Sequence, residues 1–342
     1  TMTVDKGGSD LHLQTGSRPA IRILGEVVFL DEEELTHQRT EGLVKEVLDE
    51  THFNTLFKTG SVDFAYEVKD LARFRANFLL QHYGYGAVLR VIPSRIPTLE
   101  ELNLPDSLYE ICDYDKGLVI VTGPTGSGKS TTLAAMVNHI NENRAAHIIT
   151  IEDPIEFAHP SKNSMIQQRQ VGIHANTFAQ ALRAALRESP DIVLVGEMRD
   201  LETISQAISA AETGHLVFGT LHTTSAQGTV TRIVDQFPVN QQEQIRAQLS
   251  VSLVAVISQV LMPRAEKRGR VAAFEVMINT PAVGNLIRKN ETNKIQSTIQ
   301  TSRRMGMVTL DDFILDLLAK GEIDRQVALD YAQDPRDLES RL

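Results

Sequence analysis

The sequence predicts an α/β fold with a mostly parallel sheet, preceded by a smaller α+β domain, and three observations carry that reading. The apolar run Gly117-Leu-Val-Ile-Val-Thr122 leads into a glycine-rich loop and then into a helical pattern over 131–142. From Gly117 onward short apolar runs alternate with helix-period segments, the order that builds a parallel sheet covered by helices. From Ser9 to Ile92 the signals are instead mostly period-two strands, with one helical stretch between Leu35 and Leu56.

At 342 residues the chain exceeds the size at which one core usually stops growing, so two domains are expected. In the first, residues 1–92, Val62, Phe64, Tyr66 and Val68 alternate with polar neighbours, and Phe74, Ala76, Phe78 and Leu80 do the same. A small antiparallel sheet with a helix or two fits that order. Pro93, Pro97 and Pro105 punctuate a linker over 93–105, and the second domain follows over 106–342.

In the second domain the helix after the loop carries Leu133, Met136, Val137 and Ile140 at i, i+3, i+4, i+7, the spacing that buries one face. Further strands are expected at 146–151, 191–195 and 216–221. A helix over 177–188 opens on a Thr177/Gln180 capping box, and another over 203–213 stops at Gly214. Beyond Pro238 the chain reads as largely helical, ending with a helix over 309–320 that Gly321 terminates.

Composition narrows the function classes. A net charge of −10, from 34 basic and 44 acidic residues, argues against a sequence-independent nucleic-acid binder, which needs a basic surface. Cys112 is alone, so neither a disulfide framework nor a Cys-rich zinc site is expected, and the chain fits a reducing cytoplasm. The most apolar long segment, 251–262, is interrupted by Ser252, Ser258 and Gln259 and is too short to span a bilayer. Membrane contact is therefore expected to be peripheral or through partners.

The chemistry concentrates where strands end. Gly123-Pro124-Thr125-Gly126-Ser127-Gly128-Lys129-Ser130 fits G-x-x-x-x-G-K-[ST], followed by Thr131, between a strand and a helix. Backbone N–H groups of such a loop and the helix N-terminus surround phosphates, Lys129 supplies a point charge, and the Ser130 hydroxyl is placed to ligate Mg²⁺. Three further strand exits stand out: Glu152-Asp153-Pro154-Ile155-Glu156, Gly196-Glu197-Met198-Arg199-Asp200, and His222-Thr223-Thr224, with Gly214-His215 at the other end of that last strand. Hydrolysis of a γ-phosphate needs a carboxylate to position or deprotonate water and a carboxylate or hydroxyl to hold Mg²⁺. Two acidic exits supply both, and spacing leaves open which carboxylate does which. Arg73 and Arg75 share one strand face and Arg90 interrupts an apolar run; they are either solvating charges or arginine fingers delivered to a neighbouring subunit.

Taken in order, Gly-Pro-Thr-Gly-Ser-Gly-Lys-Ser-Thr-Thr-Leu, Ile-Glu-Asp-Pro-Ile-Glu-Phe, the acidic run through Gly196-Glu197-Met-Arg-Asp200, and Thr213-Gly-His-Leu-Val-Phe-Gly-Thr-Leu-His-Thr223 resemble the Walker A, Asp, Walker B and His boxes of the secretion-type hexameric ATPases. Within that family they resemble the PilT-type retraction ATPases of type IV pili. Ser9-Asp-Leu-His-Leu13 and Ala72-Arg-Phe-Arg-Ala-Asn77 resemble the family's N-terminal domain. The resemblance implies a PAS-like N-terminal domain and a RecA-like P-loop motor domain, with ATP and Mg²⁺ as cofactors. It implies that Lys129 and Ser130 hold phosphate and Mg²⁺, that Glu156 is the catalytic glutamate and Glu197 the Walker B glutamate, and that His215 and His222 lie near the γ-phosphate. Arg75 and Arg90 fall where the family offers arginines toward a nucleotide.

The same resemblance implies a homohexamer in the cytoplasm, peripheral at the inner face of the cytoplasmic membrane. Its partner there would be an inner-membrane pilus platform protein, with neither a membrane span nor nucleic acid involved. Retraction relatives carry Ala-Ile-Arg-Asn-Leu-Ile-Arg where this chain has Ala282-Val-Gly-Asn-Leu-Ile-Arg288, so Val283 and Gly284 replace Ile and Arg. Asn285, Leu286 and Arg288 are expected to pass work to a partner, and replacing Gly284 by Arg is expected to add about 0.5–1 kcal/mol of helix stability. Two neighbouring readings stay open: an assembly or secretion ATPase or accessory retraction paralogue, and, from a different class, a nucleotide-binding adaptor that does not turn over.

Overall fold

The computed structural model describes residues 2–23, 25–69, 71–92, 95–266 and 269–342. The chain divides into two compact units, 1–95 and 96–342. Of the expected linker, Pro93 and Ser94 lie outside the described residues, and its later part is not a free tether: Leu99 and Leu104 are buried in the core of the second unit.

The first unit holds α1 (Met2–Asp5), β1 (Asp10–Gln14), β2 (Ala20–Ile23), β3 (Glu26–Phe29), α2 (His37–Val47), α3 (Glu50–Thr59), β4 (Ser61–Val68), β5 (Ala72–Gln81) and β6 (Gly84–Ile92). The strands form one antiparallel sheet in the order β3-β2-β1-β6-β5-β4. Its period-two sequence puts Phe64, Phe74, Phe78 and Leu89 on the face that receives Val44, Leu48 and Leu56 of the helical stretch. Thr36 and Asp49 cap the two helices by accepting from the Arg39 and His52 N–H groups.

In the second unit α4 (Ser107–Cys112) precedes β7 (Gly117–Thr122), α5 (Lys129–Asn143), β8 (His147–Glu152), β9 (Met165–Gln170), α6 (Phe178–Ala185), β10 (Ile192–Val195), α7 (Leu201–Glu212), β11 (Leu216–Leu221), α8 (Ala226–Asp235) and α9 (Val239–Ser252). Then come β12 (Leu253–Pro263), β13 (Arg270–Ile278), α10 (Pro281–Arg288), α11 (Ile295–Thr301), α12 (Leu310–Ala319), α13 (Arg325–Tyr331) and α14 (Pro335–Ser340). The sheet order is β13-β12-β7-β11-β10-β8-β9, parallel except for β13. Every residue of β7 is buried because the sheet is covered on both faces. Leu118 and Ile120 join the cluster under α6 to α11, while Val119 and Val121 join the cluster under α4 and α5. Cys112 belongs to that second cluster, where burial pushes its thiol up to about 12 and leaves it an inert core side chain.

The largest departure from the sequence reading lies beyond Pro238. Helices α9 to α14 do follow, but two strands interrupt them: β12 and β13 form a long antiparallel hairpin, and β12 lies directly against β7. A strand packed on both faces reads as a continuous apolar run, which periodicity alone does not separate from a helix. The segment set aside as too short for a membrane span is therefore a central strand. Among the described residues no helix is long and apolar enough to cross a membrane.

Candidate active site

Ligands of open parallel sheets sit outside the carboxyl ends of the strands. Here β7, β8, β10 and β11 all run parallel, so the loops that leave them share one edge. The cleft at that edge is lined by Lys129 and Ser130 from the loop after β7, Glu152 and Glu156 from the end of β8, Glu197 after β10 and His222 after β11.

The phosphate loop is shaped by its glycines. Gly123 (φ +146°) and Gly128 (φ +89°) occupy backbone conformations that side chains disfavour. Gly128 is also the N-cap of α5, and no side chain caps that helix, whereas Thr177, Asp200 and Ser225 cap α6, α7 and α8. The first N–H groups of α5 therefore point into the cleft with the positive end of the helix dipole behind them. Lys129 folds back over the loop, its Nζ donating to the carbonyls of Gly123 (2.8 Å) and Pro124 (3.0 Å). Burial lowers the Lys129 ammonium from its ordinary value, with Glu197 and then Glu156 opposing that shift.

Glu197 is held from two sides, accepting from Arg199 Nε at 2.5 Å and from His222 Nε2 at 3.0 Å. Burial by itself would raise this carboxyl; the hydrogen bonds and charges of Arg199 and then His222 outweigh it and keep Glu197 below the usual carboxylate range. Glu152 shows the opposite balance. Burial raises it even though it accepts from Thr150 Oγ1 (2.7 Å) and Gln168 Nε2 (3.1 Å). Glu156 is exposed at the mouth of the cleft. Two adjacent strand exits thus present one carboxyl held ionised by cations and another disfavoured as an ion, a difference set by surroundings rather than residue type. The β11 exit is tied to β7 by the Thr122 hydroxyl, which reaches the Thr223 carbonyl (2.6 Å) and hydroxyl (2.7 Å).

Not every expected site residue arrives. Asp200 caps α7 through the N–H (2.8 Å) and hydroxyl (2.9 Å) of Thr203. His215 stands at the amino end of β11, the six-residue strand whose carboxyl end carries His222, which separates the two by about 20 Å. Its Nδ1 faces the Ala210 carbonyl at 3.0 Å, and the structure does not bring it to the phosphate loop. Thr131 lines the other flank of the loop, together with Leu102, Leu104, Gln259 and Leu261. Arg75 and Arg90 belong to the first unit, as cross-strand partners on β5 and β6. Arg90 Nε donates to the buried Asp10 at 2.8 Å, and Arg75 Nε lies 3.7 Å from Asp63.

The C-terminal segment also differs from expectation. Helix α10 begins at Pro281 behind a Thr280 cap and exposes Asn285 and Arg288, while Leu286 packs against the core. Gly284 is buried against α9, where an added Cβ would stand 2.7 Å from the Ser250 carbonyl oxygen. The expected gain from Arg at this position is overturned: the helix preference is real, but the glycine is where two helices touch.

The site also contains residues that sequence reading missed. Thr150, Thr220 and His159 line the cleft, and Gln168 orders Glu152. Only His159 had a legible signal, two residues beyond the box that ends at Phe157.

A phosphate loop with an uncapped helix behind it, facing carboxylates at neighbouring strand exits, defines a P-loop protein that handles nucleotide phosphates. The model of the type II/IV secretion system protein family matches residues 58–322. The type IV pilus retraction ATPase PilT of Pseudomonas aeruginosa is 49% identical over 332 residues, spanning 97% of this chain and 96% of that protein. A twitching motility protein of Neisseria gonorrhoeae is 48% identical, spanning 94% of this chain and 86% of its own. The crystal structure of the pilus retraction motor PilT with bound ADP superposes with a TM-score of 0.94 at 47% identity, covering 99% of this chain and 97% of the other. The chain belongs to the type II/IV secretion system family and, within it, to the pilus retraction ATPases.

Proposed function

We propose that the chain converts ATP hydrolysis into retraction of type IV pili, the movement behind twitching motility. The carrying observation is the meeting of Lys129, Ser130, Glu156, Glu197 and His222 in one cleft, in a chain similar over nearly its whole length to a retraction ATPase. Lys129 and the N–H groups from Gly123 to Thr131 hold the β- and γ-phosphates. Glu156, exposed and beside the loop, takes the proton of the attacking water. His222 faces the γ-phosphate and reports its presence to Glu197 through their hydrogen bond. Glu152, Glu156 and Glu197 lie on one flank of the loop, so the nucleoside leaves by the other, past Thr131, Leu102, Leu104 and Leu261, where Glu101, Arg264 and Arg270 also line the surface.

Mg²⁺ fits the donor set. The exposed Ser130 hydroxyl and the ionised Glu197 are two hard oxygen donors, and Mg²⁺ in such sites takes one or two protein oxygens and fills the rest with phosphate and water. Held there, it would supply positive charge against the charge that builds up on the phosphates. The functional unit is a homohexamer in which Arg75 and Arg90 serve a neighbour's nucleotide. It works in the cytoplasm at the inner face of the cytoplasmic membrane, against a platform protein, without nucleic acid.

Steady-state turnover tests the reading and separates it from a non-hydrolysing adaptor. Glu156→Gln is expected to bind ATP as the parent does and to hydrolyse it about 10²–10⁴-fold more slowly, the usual contribution of a general base. Lys129→Ala is expected to weaken nucleotide binding itself. A Glu156→Gln rate within threefold of the parent would remove that residue from the role, and a parent without turnover would leave an adaptor.

A further inference from the structure

The phosphate loop touches one side chain that no nucleotide motif contains. Gln259 lies on β12, buried, 130 residues beyond the loop. Its Nε2 donates to the Ser127 carbonyl at 2.7 Å, and its Oε1 accepts from the Thr132 hydroxyl at 2.8 Å. One amide therefore bridges the middle of the loop to the first turn of α5. The fit is close on both sides: a Cβ on Gly123 would overlap the Gln259 carbonyl oxygen, and a Cβ on Gly128 would stand 2.9 Å from Gln259 Nε2. The backbone of β12 at this position therefore excludes a side chain at Gly123, while Gly128 is set chiefly by its own dihedral angle, its neighbour here being the flexible end of the Gln259 amide.

We infer that Gln259 is a positioning residue for the bound nucleotide, a clamp that sets the curvature of the phosphate loop from the neighbouring strand. The inference rests on the nucleotide reading of the site. The physical reason is directional. The Ser127 carbonyl must point away from the phosphates for the loop's N–H groups to point toward them, and a buried carbonyl without a donor carries a desolvation cost. Gln259 supplies that donor, while Thr132 fixes which end of the amide faces the loop.

Gln259→Met keeps a similar buried volume and removes the donor to the Ser127 carbonyl without introducing a carboxyl that burial would protonate into a new donor. The dissociation constant for a fluorescent ADP analogue with Mg²⁺, and KM for ATP, are expected to rise about tenfold, equivalent to about 1.4 kcal/mol. Turnover at saturation is expected to stay within threefold, because neither Glu156 nor Glu197 touches the clamp. Thr132→Val, which keeps the Ser127 bond, should show a smaller rise of about threefold; it decides the matter alone if the first variant does not fold. A fall in melting temperature with both constants within twofold of the parent would mean that Gln259 is only structural, and the inference would be overturned. Equal losses in kcat and in affinity would overturn it too. Failure of the unmodified chain to bind the ADP analogue would count against the nucleotide reading, not against the clamp.

Discussion

Acid should loosen this fold through one histidine beside the cleft. His159 is half-buried, its Nδ1 has no hydrogen-bond partner, and burial, with Lys162 adding to it, lowers the imidazole from 6.5 to about 4. Above pH 6.5 the ring is neutral in the folded and unfolded chains alike and contributes no pH dependence. Between 6.5 and about 4 the unfolded chain takes up a proton that the folded one refuses, so stability falls with pH; below about 4 both are protonated and the loss levels off. A difference of about 2.5 units at 1.36 kcal/mol each makes the full loss about 3 kcal/mol. His159→Gln removes the titration and leaves the other acid-sensitive groups in place. Urea unfolding of both proteins at pH 7, 5.5 and 4 should show the variant losing about 3 kcal/mol less than the parent over that range. Parallel curves, agreeing within about 0.5 kcal/mol after a constant offset, would refute the reasoning.

Two further outcomes test other parts of the molecule. Arg90→Gln, which keeps a donor for the buried Asp10, is expected to be slow by itself yet to regain part of its activity when mixed with Lys129→Ala chains in verified mixed rings; no recovery would deny Arg90 a role across the subunit boundary. Gly284→Arg is expected to lower the melting temperature by up to about 8 °C, since crowding the Ser250 carbonyl costs about 1–3 kcal/mol against a helix gain of at most about 1; a rise by differential scanning fluorimetry would show that α10 moves aside freely.

The parts of this protein legible in its sequence are those whose physics is local. Strands β7, β8, β10 and β11 are short apolar runs bounded by Gly, Pro or acidic residues, and α5, α6 and α12 carry their own periodicity. The phosphate loop could be read because its chemistry lies within eight consecutive residues. His215 shows where that kind of reading stops. The strand pattern already set His215 at the opposite end from His222, and it is the resemblance, which groups both histidines in one box, that put them together at the γ-phosphate; seven positions along a strand carry a side chain from one edge of the sheet to the other. Gly284 fails in the complementary way, because helix propensity describes a residue's own backbone and the constraint comes from the carbonyl of another helix.

Strand β12 joins these lessons, since the element that periodicity could not recognise completes the motif that spacing could. Strand β7 lies between β11 and β12, so its loop is flanked by two different neighbours. From the β11 side come His222 and, one strand further, Glu197; from the β12 side come Gln259 and Leu261. The flank toward β11 is acidic and tied to β7 through Thr122 and Thr223, while the flank toward β12 is joined by a single amide. A phosphate loop built this way takes its charge chemistry from one neighbouring strand and its shape from the other. A substitution that leaves every motif residue in place can therefore still disable binding if it alters how β12 meets β7.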